Sequence, residues 1–272
     1  MAETYSIGDS AAQHQYVGGR TAREWVPFLL PHLRPGMALL DCGCGVGSIT
    51  LDLAALVAPG EVVGIDLDEG QLAVARAEAA RRGLTNARFE RASIYALPFP
   101  EASFDATLAH TLLIHLSDPP RALRALQRVL KPGGVACVVD DDYATRVWSP
   151  TNPTLDWGFD LWTRLSQHNG GSPFYSRHLR GLMLGAGFDR AEGFAHASEF
   201  YGTEAATQGF ARITGMMLDN RDMNARVVEA GLATWDQFTD LREAFRVWGD
   251  DPGAFLAWLY CGAFGWVEPH QR

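Results

Sequence analysis

Asp41, Gly43, Gly45 and Gly47 stand at alternate positions, and Asp66 ends the next apolar run. Glycines at this spacing let the main chain turn sharply and approach a ligand more closely than side chains would permit. An acid at the carboxyl end of the second strand of such a unit accepts hydrogen bonds from a ribose diol. The chemistry indicated is the binding of a nucleoside-containing molecule. A dinucleotide is disfavoured, because the third glycine or alanine of G-x-G-x-x-G is replaced here by Ser48. The Asp41 carboxylate would also repel a pyrophosphate, whereas it would favour a cationic amino-acid group.

Other candidates stand at strand ends, where a doubly wound sheet opens its crevice. His110 closes the fourth apolar run and is the first candidate for a base or for orienting an acceptor; the alternative is a histidine satisfied by backbone hydrogen bonds. Asp140, Asp141 and Asp142 close the fifth. Hard cations take carboxylate oxygens, but neighbours on an extended chain point to opposite sides, so no metal is assigned. Asp140 and Asp142 stay as catalytic candidates. The aromatic residues Tyr143, Trp148, Trp157, Trp162, Phe174 and Tyr175 mostly suit core packing, and some could wall an apolar or aromatic acceptor pocket.

These residues need a frame. Segments at 38–41, 62–66, 87–92, 104–110 and 135–140 read as strands, separated by helical periodicity over 47–57, 69–82 and from Asp118 to Leu130. A further helix is expected from about 21 to 32, ahead of the first strand. Beyond Asp140 the alternation loosens: helices capped at Asn152 and near 176–184, a sixth strand over 188–200, two or three helices within 203–247, and a last strand of an antiparallel hairpin over 255–266. The fold class is α/β, a Rossmann-like doubly wound seven-stranded sheet, mostly parallel with its last strand antiparallel, and with helical lid insertions. One domain over 1–272 is expected, with a binding core at 16–140 and lid helices and hairpin strands at 141–272.

Composition narrows the partners. The chain of 272 residues has net charge −9 and no basic-aromatic stripe, which disfavours nucleic acid. Four cysteines without a Cys-x-x-Cys pair, no secretion signal and no spanning apolar segment predict a reduced, cytoplasmic protein with no membrane partner; a homodimer is left open.

Asp41-x-Gly43-x-Gly45-x-Gly47 resembles motif I of the class I S-adenosylmethionine (SAM) methyltransferases. The phrases Leu97-Pro-Phe, Phe104-Asp and Leu130-Lys-Pro-Gly-Gly are similar to the ubiquinone/menaquinone-biosynthesis type, over about residues 16–140. The resemblance implies SAM as cofactor. Asp41, Gly43, Gly45 and Gly47 would hold its methionine end, Asp66 its ribose, and Leu67, Ser93 and Ile94 its adenine. Ser93 stands where the family commonly has an aspartate. Tyr16 and Arg20 are nominated to close over the methionine carboxylate, and His110 and His115 to lie beside the ligands. The implied activity is methyl transfer to an oxygen or carbon of a small, largely apolar or aromatic molecule, a secondary metabolite or quinone-like compound. The alternative keeps bound SAM without transfer, in a cyclisation or rearrangement catalyst or a SAM-sensing protein.

Overall fold

A computed structural model describes residues 18–269. Tyr16 lies outside them. Strands β1 (Leu39–Cys42), β2 (Val62–Asp66), β3 (Ala87–Arg91), β4 (Phe104–His110) and β5 (Leu130–Asp141) pair in parallel in the order β3-β2-β1-β4-β5. β1 is buried along its whole length, the apolar signature of a strand covered on both faces. The chain order reverses between β1 and β4, which opens a crevice above their carboxyl ends.

Helices cover this half. The first, α1 (Ala22–Trp25), is short. The helix expected to run on to residue 32 stops at Val26, because Pro27 disfavours helical backbone in the residue before it; a 3-10 turn, Leu30–His32, follows. α2 (Ser48–Val57), α3 (Glu69–Arg81) and α4 (Pro119–Val129) link the parallel strands. The Asp68 carboxylate accepts from the N–H groups of Gly70 and Gln71, and Asp118 accepts from Arg121, so both helices start where an acidic cap satisfies the first turn.

The second half completes the same sheet. β7 (Arg190–Tyr201) and β8 (Phe255–Trp266) are antiparallel partners, and β8 inserts between β5 and β7. The expected seven strands are therefore present, but β7 and β8 are joined through three helices instead of a tight turn. An eighth strand, β6 (Val147–Ser149), pairs with the start of β8 beyond the end of β5. α5 (Pro153–His168), α7 (Glu204–Leu218), α8 (Arg221–Glu229) and α9 (Trp235–Gly249) form the lid around Leu155, Leu161, Leu241, Phe245 and Trp248. A Cβ on Gly158 would lie 2.3 Å from Leu241 Cδ1, so α5 and α9 touch where only glycine fits. α6 (Leu179–Gly185) packs behind β8. Among the described residues no helix is long and apolar enough to cross a membrane.

Candidate functional site

Above the β1–β4 switch point lies a cavity of about 480 Å³. Its floor is the loop after β1. The Gly43 and Cys44 N–H groups donate to the Ile65 carbonyl (2.8 and 3.0 Å), and Gly43 and Gly45 adopt φ of +74° and +54°, the left-handed region that favours glycine. Asp66 joins the two strand ends: its Oδ2 accepts from Gly45 N and its Oδ1 from Asp68 N, each at 3.0 Å. Gly47, grouped by sequence with the ligand-contacting glycines, lies below the cavity. A Cβ there would stand 2.8 Å from Ala75 Cβ and 3.0 Å from the Phe89 ring, so its part is close packing of α2 against α3 and β3.

Asp41 lines the cavity but is buried, and the Thr50 hydroxyl donates to its Oδ2 at 2.6 Å. Burial pushes this carboxyl up to about 6; the Thr50 bond opposes the rise and Asp66 adds to it. A cationic ligand replaces the lost hydration of the ionised form, so proton and ligand compete for Asp41. Affinity for SAM should therefore rise with pH through about 6 and level off above it. Titration calorimetry should give binding about tenfold weaker near pH 5 than near pH 7, and Asp41→Asn should bind weakly with a flat profile. An unchanged pH dependence in Asp41→Asn would sink this role.

The end of β2 and the segments after β2 and β3 contribute Asp66, Leu67, Ser93 and Ile94 to the lining. Leu67 is half exposed, an apolar surface free to cover a planar ring. The Ser93 hydroxyl accepts from Tyr95 N at 3.3 Å while capping a 3-10 turn, which leaves its own proton for a ligand. The end of β4 and the segment after it contribute His110, Thr111 and His115, and Arg20 comes from ahead of α1. His110 is buried, with its ring edge-on to Trp25 (centroids 5.7 Å apart) and stacked on Tyr260 (5.8 Å). Its Nδ1 is 3.4 Å from Thr111 Oγ1 and its Nε2 has no hydrogen-bond partner among the described residues. Burial, then Arg20 and His196, hold its pKa well below the usual imidazole value, so the ring is neutral at pH 7. Burial likewise lowers His115, to about 4. Thr111 adopts φ +52°, a strained state for a β-branched residue, and Arg20 Nη1 donates to its hydroxyl at 3.4 Å while stacking 3.9 Å above the Trp25 ring.

The two aspartates nominated as catalytic are placed elsewhere. Asp142 is buried and accepts from Arg177 Nε (2.6 Å) and Nη2 (2.5 Å), and from Ala144 N in the turn after β5. Asp140 lies beneath the loop after β4, approached by the N–H groups of Leu112, Leu113 and Ile114 without a well-formed hydrogen bond; burial pushes its pKa well up, and Asp141 adds to the rise. Neither lines the cavity. Asp141 faces Arg146 and Arg20 instead, so the three carboxylates diverge. Among the lining residues that the sequence did not nominate are Thr111 and Arg226 on α8 of the lid. No local pattern marks a threonine that will turn left-handed, or a lid arginine that will reach the crevice.

The cavity thus brings together glycines in left-handed backbone, a carboxylate at the end of β2 and a buried acid on β1. A methyltransferase-domain family model matches residues 40–138, from β1 to β5. An uncharacterised methyltransferase of Schizosaccharomyces pombe is 34% identical over 173 residues, 61% of this chain and 62% of that protein. The chain thus spans less than two thirds of that relative. The ubiquinone/menaquinone biosynthesis C-methyltransferase of Shewanella oneidensis is 39% identical over 174 residues, 58% of this chain and 69% of that protein. Among solved structures, the YcgJ protein of Bacillus subtilis shares the fold with a TM-score of 0.60 at 19% identity, over 90% of this chain and 99% of that one.

Proposed function

The chain belongs to the SAM-dependent methyltransferases, and we propose that it transfers a methyl group to an oxygen or carbon of a small, largely apolar or aromatic molecule. A secondary metabolite or quinone-like compound is the acceptor class, and the cytoplasm its compartment. One observation carries the reading: a single cavity is lined by Asp66, Ser93 and His110, and there a neutral imidazole holds an unpartnered Nε2 between Trp25 and Tyr260.

Bound SAM supplies a methyl group activated by its sulfonium. The chain's part is to hold and orient. Asp66 takes the ribose hydroxyls, with Leu67, Ser93 and Ile94 around the adenine. Asp41 offsets the positive charge at the methionine end, and Arg20 takes the methionine carboxylate. Gly43 and Gly45 allow the main chain to come close. Positioning of this kind contributes on the order of 7–11 kcal/mol to a two-component reaction. In the tautomer that carries its proton on Nδ1, which lies 3.4 Å from Thr111 Oγ1, His110 offers Nε2 to an acceptor hydroxyl and removes its proton as the new bond forms. Asp142, bonded by Arg177, holds the turn after β5 in place, and neither it nor Asp140 lines the cavity.

Incubation with methyl-labelled SAM and a small-molecule extract of the source organism, read by mass spectrometry, tests the proposal. A labelled product is expected. His110→Ala should lower its turnover by about a hundredfold or more, the usual worth of a positioned base, with SAM affinity nearly unchanged. Bound SAM with no labelled product would instead favour a protein that does not transfer methyl groups.

A further inference from the structure

The ionisable groups of the cavity are sorted by sign. Asp41, Asp66 and Asp68 line the β1–β2 side, whereas Arg20, His110, His115 and Arg226 line the β4 and lid side. The acids already have local hydrogen-bond donors: Thr50 for Asp41, Gly45 and Asp68 main chain for Asp66, and Gly70 and Gln71 main chain for Asp68. Arg20 is held by Thr111 and Trp25.

Arg226 differs. Its guanidinium forms no hydrogen bond or ion pair with any described residue, although Asp222 and Glu229 lie one turn away on the same helix. The helix that carries it is fixed. Met223 and Val227 are buried in the lid, and Asn224 Nδ2 donates to the Leu218 carbonyl at 2.7 Å. A helix anchored by these contacts therefore carries an exposed guanidinium, without a partner among the described residues, at the wall of the cavity, in a chain of net charge −9. Guanidinium groups in this position recognise carboxylates through paired donors.

We infer that Arg226 is a specificity residue for the methyl acceptor, and that the acceptor is an aromatic or apolar molecule bearing a carboxylate. The inference rests on the proposed methyl transfer, in which the SAM carboxylate goes to Arg20 and leaves Arg226 to the second ligand. The apolar lining from Leu112 and Leu116 would cover the body of such a molecule, with its nucleophile at His110 and its carboxylate at the lid.

Salicylate and its neutral isostere salicylamide serve as probes, titrated calorimetrically into the full chain saturated with S-adenosylhomocysteine. Salicylate should bind about tenfold or more tighter than the amide, as expected for one charge-assisted interaction. Arg226→Ala should abolish that preference, and Arg226→Lys should restore part of it. Affinity for S-adenosylhomocysteine should stay unchanged in both variants. Equal binding of acid and amide, binding of neither, or a preference that survives in Arg226→Ala overturns the inference. Loss of S-adenosylhomocysteine affinity in Arg226→Ala also overturns it, by assigning the residue to the cofactor carboxylate. Failure of the unaltered chain to bind S-adenosylhomocysteine at all would strike the proposed function itself, and so is distinguishable.

Discussion

Asp66→Ala is expected to weaken SAM binding by about a hundredfold or more while leaving the chain folded. In the ligand-free chain each carboxylate oxygen of Asp66 already accepts one main-chain N–H, from Gly45 and from Asp68, at 3.0 Å. Each oxygen keeps acceptor capacity for a ribose hydroxyl. Hydrogen bonds to a charged group contribute about 1.5–3 kcal/mol apiece, so loss of two to the ribose amounts to about 3–6 kcal/mol. The glycine loop also loses its tie to β2, which loosens the surface that the methionine end meets. Asp66→Asn keeps one acceptor oxygen and should fall between the two. Calorimetric titration of the three proteins gives the affinities, and far-ultraviolet circular dichroism on heating shows whether the fold persists. SAM affinity in Asp66→Ala within about threefold of the unaltered chain would exclude a ribose role for this residue.

The parallel half of the fold was readable because its signals are local. β1, β2 and β4 are short, largely apolar runs, and Asp68, Asp118 and Asn152 cap helices whose first-turn N–H groups need such a side chain. The glycine loop after β1 was readable for the same reason, since alternate glycines between two apolar runs constrain the backbone within a few residues. Features that depend on distant partners were not readable. Val147–Ser149 is a strand only because β8 returns beside it. Asp142 reads as a candidate base until Arg177, 35 residues away, is seen to occupy both its oxygens. In extended chain Asp140 and Asp142 point to the same side, so alternation alone separated only Asp141 from them. Whether either carboxylate met the crevice or the packed side was decided by the loop after β4 and by the turn after β5. Arg226 enters the cavity through the packing of α8, which no pattern within its own helix reveals. The pairing of strands could be inferred from periodicity, but the fate of each polar side chain at their ends required the tertiary structure.

Gly47→Ala is expected to cost about 2–5 kcal/mol of stability and to lower the melting temperature by about 5–15 °C. Two effects combine. With φ at +76°, any side chain meets left-handed strain of about 1–2 kcal/mol. The new Cβ would also stand 2.8 Å from Ala75 Cβ and 3.0 Å from the Phe89 ring. Relief requires α3 or β3 to move, and such overpacking costs about 1–3 kcal/mol. Gly83→Ala separates the two effects, because Gly83 has φ +67° and a Cβ added there would meet no atom within 4 Å. It carries the strain without the overlap and should cost about 1–2 kcal/mol. Thermal melts of both variants, with and without saturating SAM, provide the comparison. Because Gly47 lies below the cavity, Gly47→Ala should lose stability more than affinity at temperatures where it remains folded. Equal destabilisation of the two variants would show that α2, α3 and β3 yield freely at this contact. A severe loss of SAM affinity in folded Gly47→Ala would return Gly47 to the ligand-contacting loop, where its spacing with Gly43 and Gly45 first placed it.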